Sequence, residues 1–182
     1  MRRMTAVEGE RVRKYAYPSA IGRLAEALLR NRRVVRHRRG DFRMDYERGE
    51  VQVLRGVVRE IAQGDEWNDE GPIYLLGFGD GDWVWLCGPW LYDPCVVAAS
   101  LLRWFEDRDD TVWPDIVQVE RLPTTGLALS LRGLSPRPVV VSKLIAHADI
   151  YYLGESHLFT GSFETLEADL EEAFRAASRL LE

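Results

Sequence analysis

Between Pro72 and Pro94 the chain reads PIYLLGFGDGDWVWLCGPWLYDP, its most apolar and most aromatic stretch. The stretch predicts two strands, Ile73–Phe78 and Trp83–Cys87, joined at Asp80-Gly81. An Asp-Gly pair supplies the positive φ that a tight hairpin needs, and β-branched and aromatic residues flank it here. Trp83, Trp85 and Cys87 fall on one face, Val84 and Leu86 on the other. A hairpin apolar on both faces belongs inside a sheet, with layers on either side of it. Tyr74, Trp83, Trp85, Trp90 and Tyr92 each bring on the order of 150–250 Å² of surface to bury. The rest of the fold has to pack around this hairpin.

With 182 residues and a 46% hydrophobic fraction, the chain can build a real core. It contains no apolar run of transmembrane length. The opening MRRMTAVEGERVRK lacks the apolar segment of a secretory signal. Cys87 and Cys95 are too few for a disulfide framework, and as reduced thiols they point to the cytoplasm. The net charge of −5 hides an asymmetry. Residues 1–60 hold 16 Lys and Arg against 8 Asp and Glu; residues 61–182 hold 8 against 21. Such polarity suits a polyanion met by one half, two halves that face each other, or homo-oligomers assembled head to tail.

Thr5-x-x-Glu8 has the form of a capping box and predicts a short helix to about Tyr15. Pro18 breaks it, and Ile21, Leu24, Ala25, Leu28 and Leu29 repeat with helical spacing over Ala20–Asn31. Beyond Asn31 the pattern changes. Gly40-Asp41 reads as a turn, and Phe42, Met44 and Tyr46 alternate with charged residues as in a half-buried strand. Arg48-Gly49-Glu50 is a second turn, and Val51–Ala62 fits either period, with its β-branched content and Gly56 favouring a strand. Val96–Phe105 has helical spacing, and Glu106–Asp110 reads as an acidic loop. A second hairpin pairs Ile116–Arg121 with Leu127–Arg132 through a turn at Pro123–Gly126. Val139–Val141 is a short strand and Asp149–Leu153 an edge strand. The chain closes on an amphipathic helix, Phe163–Leu181, whose acids crowd its first half and whose arginines its second. This order predicts one α+β domain over 1–182: a helical segment to 32, a sheet-rich core over 33–160 and a C-terminal helix from 161. The sheet is expected to be antiparallel, with five to seven strands and the C-terminal helix packed on it.

The strongest functional signal is RNRRVVRHRRGDFR, which holds Arg30, Arg32, Arg33, Arg36, His37, Arg38, Arg39 and Arg43. Guanidinium forks pair bidentately with phosphates and stack on bases, so a basic hairpin here would suit a groove or a single strand. The competing explanation is that these arginines pair with the chain's own acidic half. A second candidate is the Trp, Tyr, Gly and Pro cluster around Gly88–Asp93, where Trp85, Cys87, Trp90 and Tyr92 would line a pocket or pack as core.

Catalytic patterns are weaker. Cys87 with His147 or His157 and Asp93 has the residue types of a nucleophilic site, but a thiol in an aromatic strand is ordinarily inert. Asp115 and Glu120 outline a metal-nuclease hairpin, yet Leu122 stands where such sites place a lysine. The cysteines lack zinc-ligand spacing, and no cofactor loop is present. Gly77-x-Gly79-x-Gly81 opens no helix and belongs to the hairpin. The sequence therefore predicts a non-catalytic binding protein whose Arg-rich segment contacts a polyanion, nucleic acid first. The alternatives are a protein-interaction module, such as a small adaptor or an immunity-type inhibitor with an acidic protein partner, and a metal-dependent hydrolase or nuclease.

Overall fold

The structure is a computed structural model that describes residues 1–17, 32–64, 72–79, 81–108, 111–145, 156–166 and 168. The expected helix over Ala20–Asn31, the edge strand over Asp149–Leu153 and the C-terminal helix beyond Leu166 lie outside the described residues. The described part is α+β. Its helices are α1 (Ala6–Ala16), α2 (Arg32–Arg48) and α3 (Ala99–Arg108), with a 3-10 turn at Pro89–Tyr92. Its strands are β1 (Arg2–Arg3), β2 (Glu50–Gly64), β3 (Ile73–Phe78), β4 (Asp82–Cys87), β5 (Val112–Pro114), β6 (Ile116–Arg121), β7 (Ala128–Gly133), β8 (Pro138–Val140), β9 (Lys143–Ile145) and β10 (Ser156–Thr160). Eight of them form one sheet in the order β10-β4-β3-β2-β6-β7, with β1 and β9 also on β2, while β5 and β8 make a two-stranded sheet. The large sheet exceeds the expected five to seven strands because short pieces such as β1, β9 and β10 carry too few residues to show a period. β1–β2, β2–β3, β3–β4 and β4–β10 pair antiparallel, and β2–β9 pairs parallel.

The chain forms two compact units. The first comprises 1–53 and 120–129, the second 54–119 and 130–182. In the first unit the Thr5 capping box forms as expected. Glu8 N–H donates to the Thr5 hydroxyl and the Thr5 N–H donates to the Glu8 carboxylate. This closes two of the orphan donors at the start of α1. Val12 from α1 then packs with Val51, Leu122, Leu127 and Leu129, and Phe42 and Tyr46 from α2 cover that core. The turn after β6 is where expected, with Leu122 N–H donating to Leu127 O at 2.9 Å.

The second unit is organised on the aromatic hairpin. β3 and β4 pair in register Ile73↔Cys87 to Gly77↔Trp83, and Gly81 takes φ +84 at the turn. The two faces separate as the alternation requires. One face carries Ile73, Leu75, Trp83 and Trp85 into a core with Ala62, Ile145 and Leu166. On the other, Tyr74 meets Trp113 edge to face at 4.9 Å, and Trp113 meets Phe105 at 5.0 Å. The interior is tight enough to require glycine at two strand positions. A Cβ on Gly56 would stand 2.5 Å from the Phe78 ring, and one on Gly77 2.7 Å from Trp83. Glycine in a strand commonly marks such close approaches.

Two expectations are corrected and one strand is added. Residues 32–48 are one helix, so Gly40-Asp41 is not a turn and Phe42, Met44 and Tyr46 are not a strand. Phe42, Asp45 and Tyr46 stand at i, i+3 and i+4 and turn inward, while Met44 is exposed; a short helical stripe imitates alternation. Arginine is also a strong helix former, which a strand reading ignores. Helix α3 begins at Ala99, not Val96, and runs through Arg108 into the expected acidic loop. Val96 and Val97 are instead held by β7, with Leu131 N–H donating to Val96 O and Ala98 N–H to Leu131 O, both at 2.9 Å. Finally, β10 occupies residues for which the sequence suggested no strand; Ser156 stands opposite Leu86 and Thr160 opposite Asp82.

Candidate polyanion-binding helix

Helix α2 is basic over its first half and anchored over its second. Arg32, Arg33, Arg36, His37, Arg38 and Arg39 all lie in its first eight residues. Arg32, Arg36, Arg39 and Arg43 recur at i, i+4, i+7 and i+11, the spacing of a single helical face. The same eight residues contain no acid, and Asp41 is the first that follows. Arg30 lies outside the described residues, so the predicted cluster is brought together on one helix from Arg32 to Arg43.

The anchor begins with Asp45, which is fully buried. Its carboxylate accepts the backbone N–H of Thr124 at 3.0 Å, that of Thr125 at 2.9 Å and the Thr125 hydroxyl at 2.9 Å. A helix residue thereby caps the β6–β7 turn. Near it, Arg121 is 6% exposed and its Nη1 is buried with no hydrogen-bond partner among the described residues. Burial pushes the Arg121 guanidinium pKa down, and the charge of Asp45 pulls it back up. The three hydrogen bonds of Asp45 hold α2 against the turn.

Arg43 is the one member of the predicted cluster whose side chain is described. Its guanidinium lies 5.3 Å from the centre of the Tyr17 ring and its Nε donates to Ala16 O at 3.3 Å, tying α2 to the end of α1. Tyr17 in turn meets Tyr46 edge to face at 5.8 Å. Arg43 remains exposed, and a stacked guanidinium keeps in-plane N–H groups for an anion. The helix stops at Gly49, which takes φ +63 and donates to Asp45 O at 3.0 Å. A left-handed glycine is the usual terminator.

Arg2 is engaged elsewhere in the first unit. It pairs with Glu8 and, at 2.5 Å, with Glu120. The hydrogen bond from Arg2 holds the Glu8 carboxyl well below its usual range, at about 2, and Glu8 with Glu120 raises the guanidinium pKa of Arg2. Glu120, one of the two acids in the nuclease outline, is thus taken by an arginine of β1. Asp115 has Arg137 Nε 3.9 Å away. Among the described residues no three of His, Cys, Asp and Glu gather as metal ligands.

In the second unit Trp85 is fully buried, and Trp90 is 7% exposed with its Nε1 donating to Cys87 O at 2.7 Å. Cys87 is half-buried and packs against the hairpin core, while Tyr92 is half exposed. Asp93 accepts the N–H of Cys95 at 2.8 Å. His147 lies outside the described residues, and of His157 only the backbone, opposite Trp85, is described. The sequence reading found the turn but missed Asp45 as the side chain that caps it. No local pattern could have revealed the pair, whose members stand 79 and 80 positions apart.

Among the described residues no helix is long and apolar enough to cross a membrane. Compared with protein-family models, curated proteins and solved structures, the chain matches none.

Proposed function

We propose that this chain is a non-catalytic binding protein that holds a polyanion, nucleic acid before others, on the basic first half of α2. The observation that carries the reading is the acid-free run from Arg32 to Arg39 on a continuous helix. Arg32/Arg36 and Arg39/Arg43 are like-charge pairs at i,i+4, and Arg36/Arg39 is one at i,i+3. Each such pair costs a helix about 0.2–0.5 kcal/mol, a cost that a bound polyanion removes. A helix rich in arginine suits a major groove or a structured RNA better than the hairpin the sequence suggested. The anchor at Asp45 keeps the second half of the helix fixed while the first half meets the ligand. The reading places the protein in a reducing compartment, the cytoplasm, where a chain with two cysteines keeps them as thiols.

Fluorescence anisotropy with labelled duplex DNA, single-stranded DNA and duplex RNA tests this. Binding is expected to weaken steeply between about 50 and 200 mM salt, as counterion release requires. Replacing Arg32, Arg33, Arg36, Arg38 and Arg39 by Ala should abolish it. Absence of binding at low salt, a flat salt response, or unchanged affinity in the variant overturns the reading. A protein co-purifying with the wild type and lost from the same variant would point to an acidic protein partner instead.

A further inference from the structure

The end of α1 sets an aromatic ring beside the basic helix. Tyr17 caps α1, its N–H donating to Arg13 O at 2.8 Å. Its side chain is held at three points by α2. The Arg43 guanidinium lies over the ring at 5.3 Å, and Tyr46 meets it edge to face at 5.8 Å. The Tyr17 hydroxyl donates to a Glu47 carboxylate oxygen at 3.4 Å. Tyr46 is itself packed against the core of the first unit, so the support is rigid. Tyr17 nonetheless keeps 47% of its surface exposed. A lone exposed apolar side chain is ordinary on a protein surface. A ring held in place from one helix, and still open on its remaining surface, has the form of a stacking platform.

The platform continues the arginine row. Arg32, Arg36, Arg39 and Arg43 share one helical face, which runs about 16 Å along the axis between its first and last members. The last of them is the one that touches the Tyr17 ring. A cationic track that ends on an aromatic face combines the two parts that single-strand binders use: charge along the backbone and a ring under a base. In a duplex each base already stacks on its neighbours, so only an unpaired base has a face to offer. From these we infer that the polyanion held by α2 is single-stranded nucleic acid, with one base stacked on Tyr17. The phosphates on either side of that base would lie along Arg39 and Arg43. The inference rests on the reading of α2 as a polyanion site and narrows its ligand to strands with unpaired bases.

Fluorescence anisotropy on the full chain tests this with labelled DNA and RNA strands of about 12 nucleotides, their duplexes, and a strand of the same length whose sugars carry no bases. Single strands are expected to bind about tenfold tighter than duplexes, and the tighter of DNA and RNA names the sugar. Tyr17→Leu should weaken single-strand binding about fivefold to a hundredfold, the value of one stacked base. It should leave the log–log salt slope unchanged, because a base carries no charge. The wild type should lose affinity for the baseless strand, and Tyr17→Leu should add no further loss there. Tyr17→Trp, which restores a ring, should recover most of the binding. Equal affinity for duplex and single strand overturns the inference, as does wild-type affinity in Tyr17→Leu. An equal loss in Tyr17→Leu on normal and baseless strands also overturns it, since the ring would then serve only the fold. In these cases salt-sensitive binding still upholds the polyanion reading of α2, whereas no binding of any strand at low salt removes both.

Discussion

Asp45 and Thr125 meet twice: the carboxylate of one accepts both the backbone N–H and the hydroxyl of the other, each at 2.9 Å. The contact closes a turn of one hairpin with a side chain from α2. Asp45→Ala leaves the two turn N–H groups without their acceptor and Arg121 without its nearby charge. It is expected to cost about 2–4 kcal/mol, read as a lower midpoint in urea unfolding. Thr125→Val removes only the hydroxyl and should cost about 1 kcal/mol. An Asp45→Ala protein as stable as wild type would show that the carboxylate does not hold the turn.

The Arg2–Glu8 pair gives the first unit a dependence on acid. Glu8 has its folded pKa lowered from 4.5 to about 2 by Arg2, with help from the Thr5 cap. Its contribution is therefore complete above the unfolded value and is lost as pH falls from about 4.5 toward 2. Thermal unfolding followed by circular dichroism between pH 6 and pH 2 should show a steeper decline for wild type than for Glu8→Gln. The variant should also be less stable at neutral pH, by about 1–2 kcal/mol, through loss of the capping box and the ion pair. Parallel pH profiles for the two proteins would contradict this assignment.

Glycine at 56 and 77 is required by ring contacts. Gly56→Ala drives a methyl against Phe78, and Gly77→Ala drives one against Trp83. Overpacking of this kind costs typically about 1–3 kcal/mol. The double variant Gly56→Ala/Phe78→Leu should recover part of the Gly56→Ala loss, because the smaller side chain yields the space. Lack of recovery in denaturant melts would place the strain in the backbone instead.

The arginines of α2 bear on function and stability in opposite directions. Replacing Arg32, Arg33, Arg36, Arg38 and Arg39 by Ala removes like-charge neighbours and adds the best helix former. The unfolding free energy should stay unchanged or rise by up to about 1 kcal/mol while oligonucleotide binding disappears. A marked loss of stability would mean that these side chains serve the fold.

Several elements were legible in the chain because their signals are short-range. The Thr5/Glu8 box, the Asp80-Gly81 hairpin and the Pro123–Gly126 turn each follow from residues within a few positions of one another. Alternation likewise put Trp83, Trp85 and Cys87 on one face of β4, the face that packs into the core of the second unit. The arginine cluster was equally visible as composition, but its conformation was not. Phe42 and Tyr46 fit both periods, and the choice of helix falls to Asp45 and Tyr46, which find partners in the β6–β7 turn and in the core of the first unit.

Sequence by itself determined the aromatic hairpin, the first helix cap and the concentration of positive charge near the N-terminus, since neighbouring residues carry the energies that decide them. Only tertiary structure decided that the basic segment is helical, that Glu120 belongs to Arg2, and that Asp45 caps the β6–β7 turn. Those outcomes depend on groups brought together across tens of positions, and the burial and electrostatic energies that fix them exist only once the chain has closed on itself.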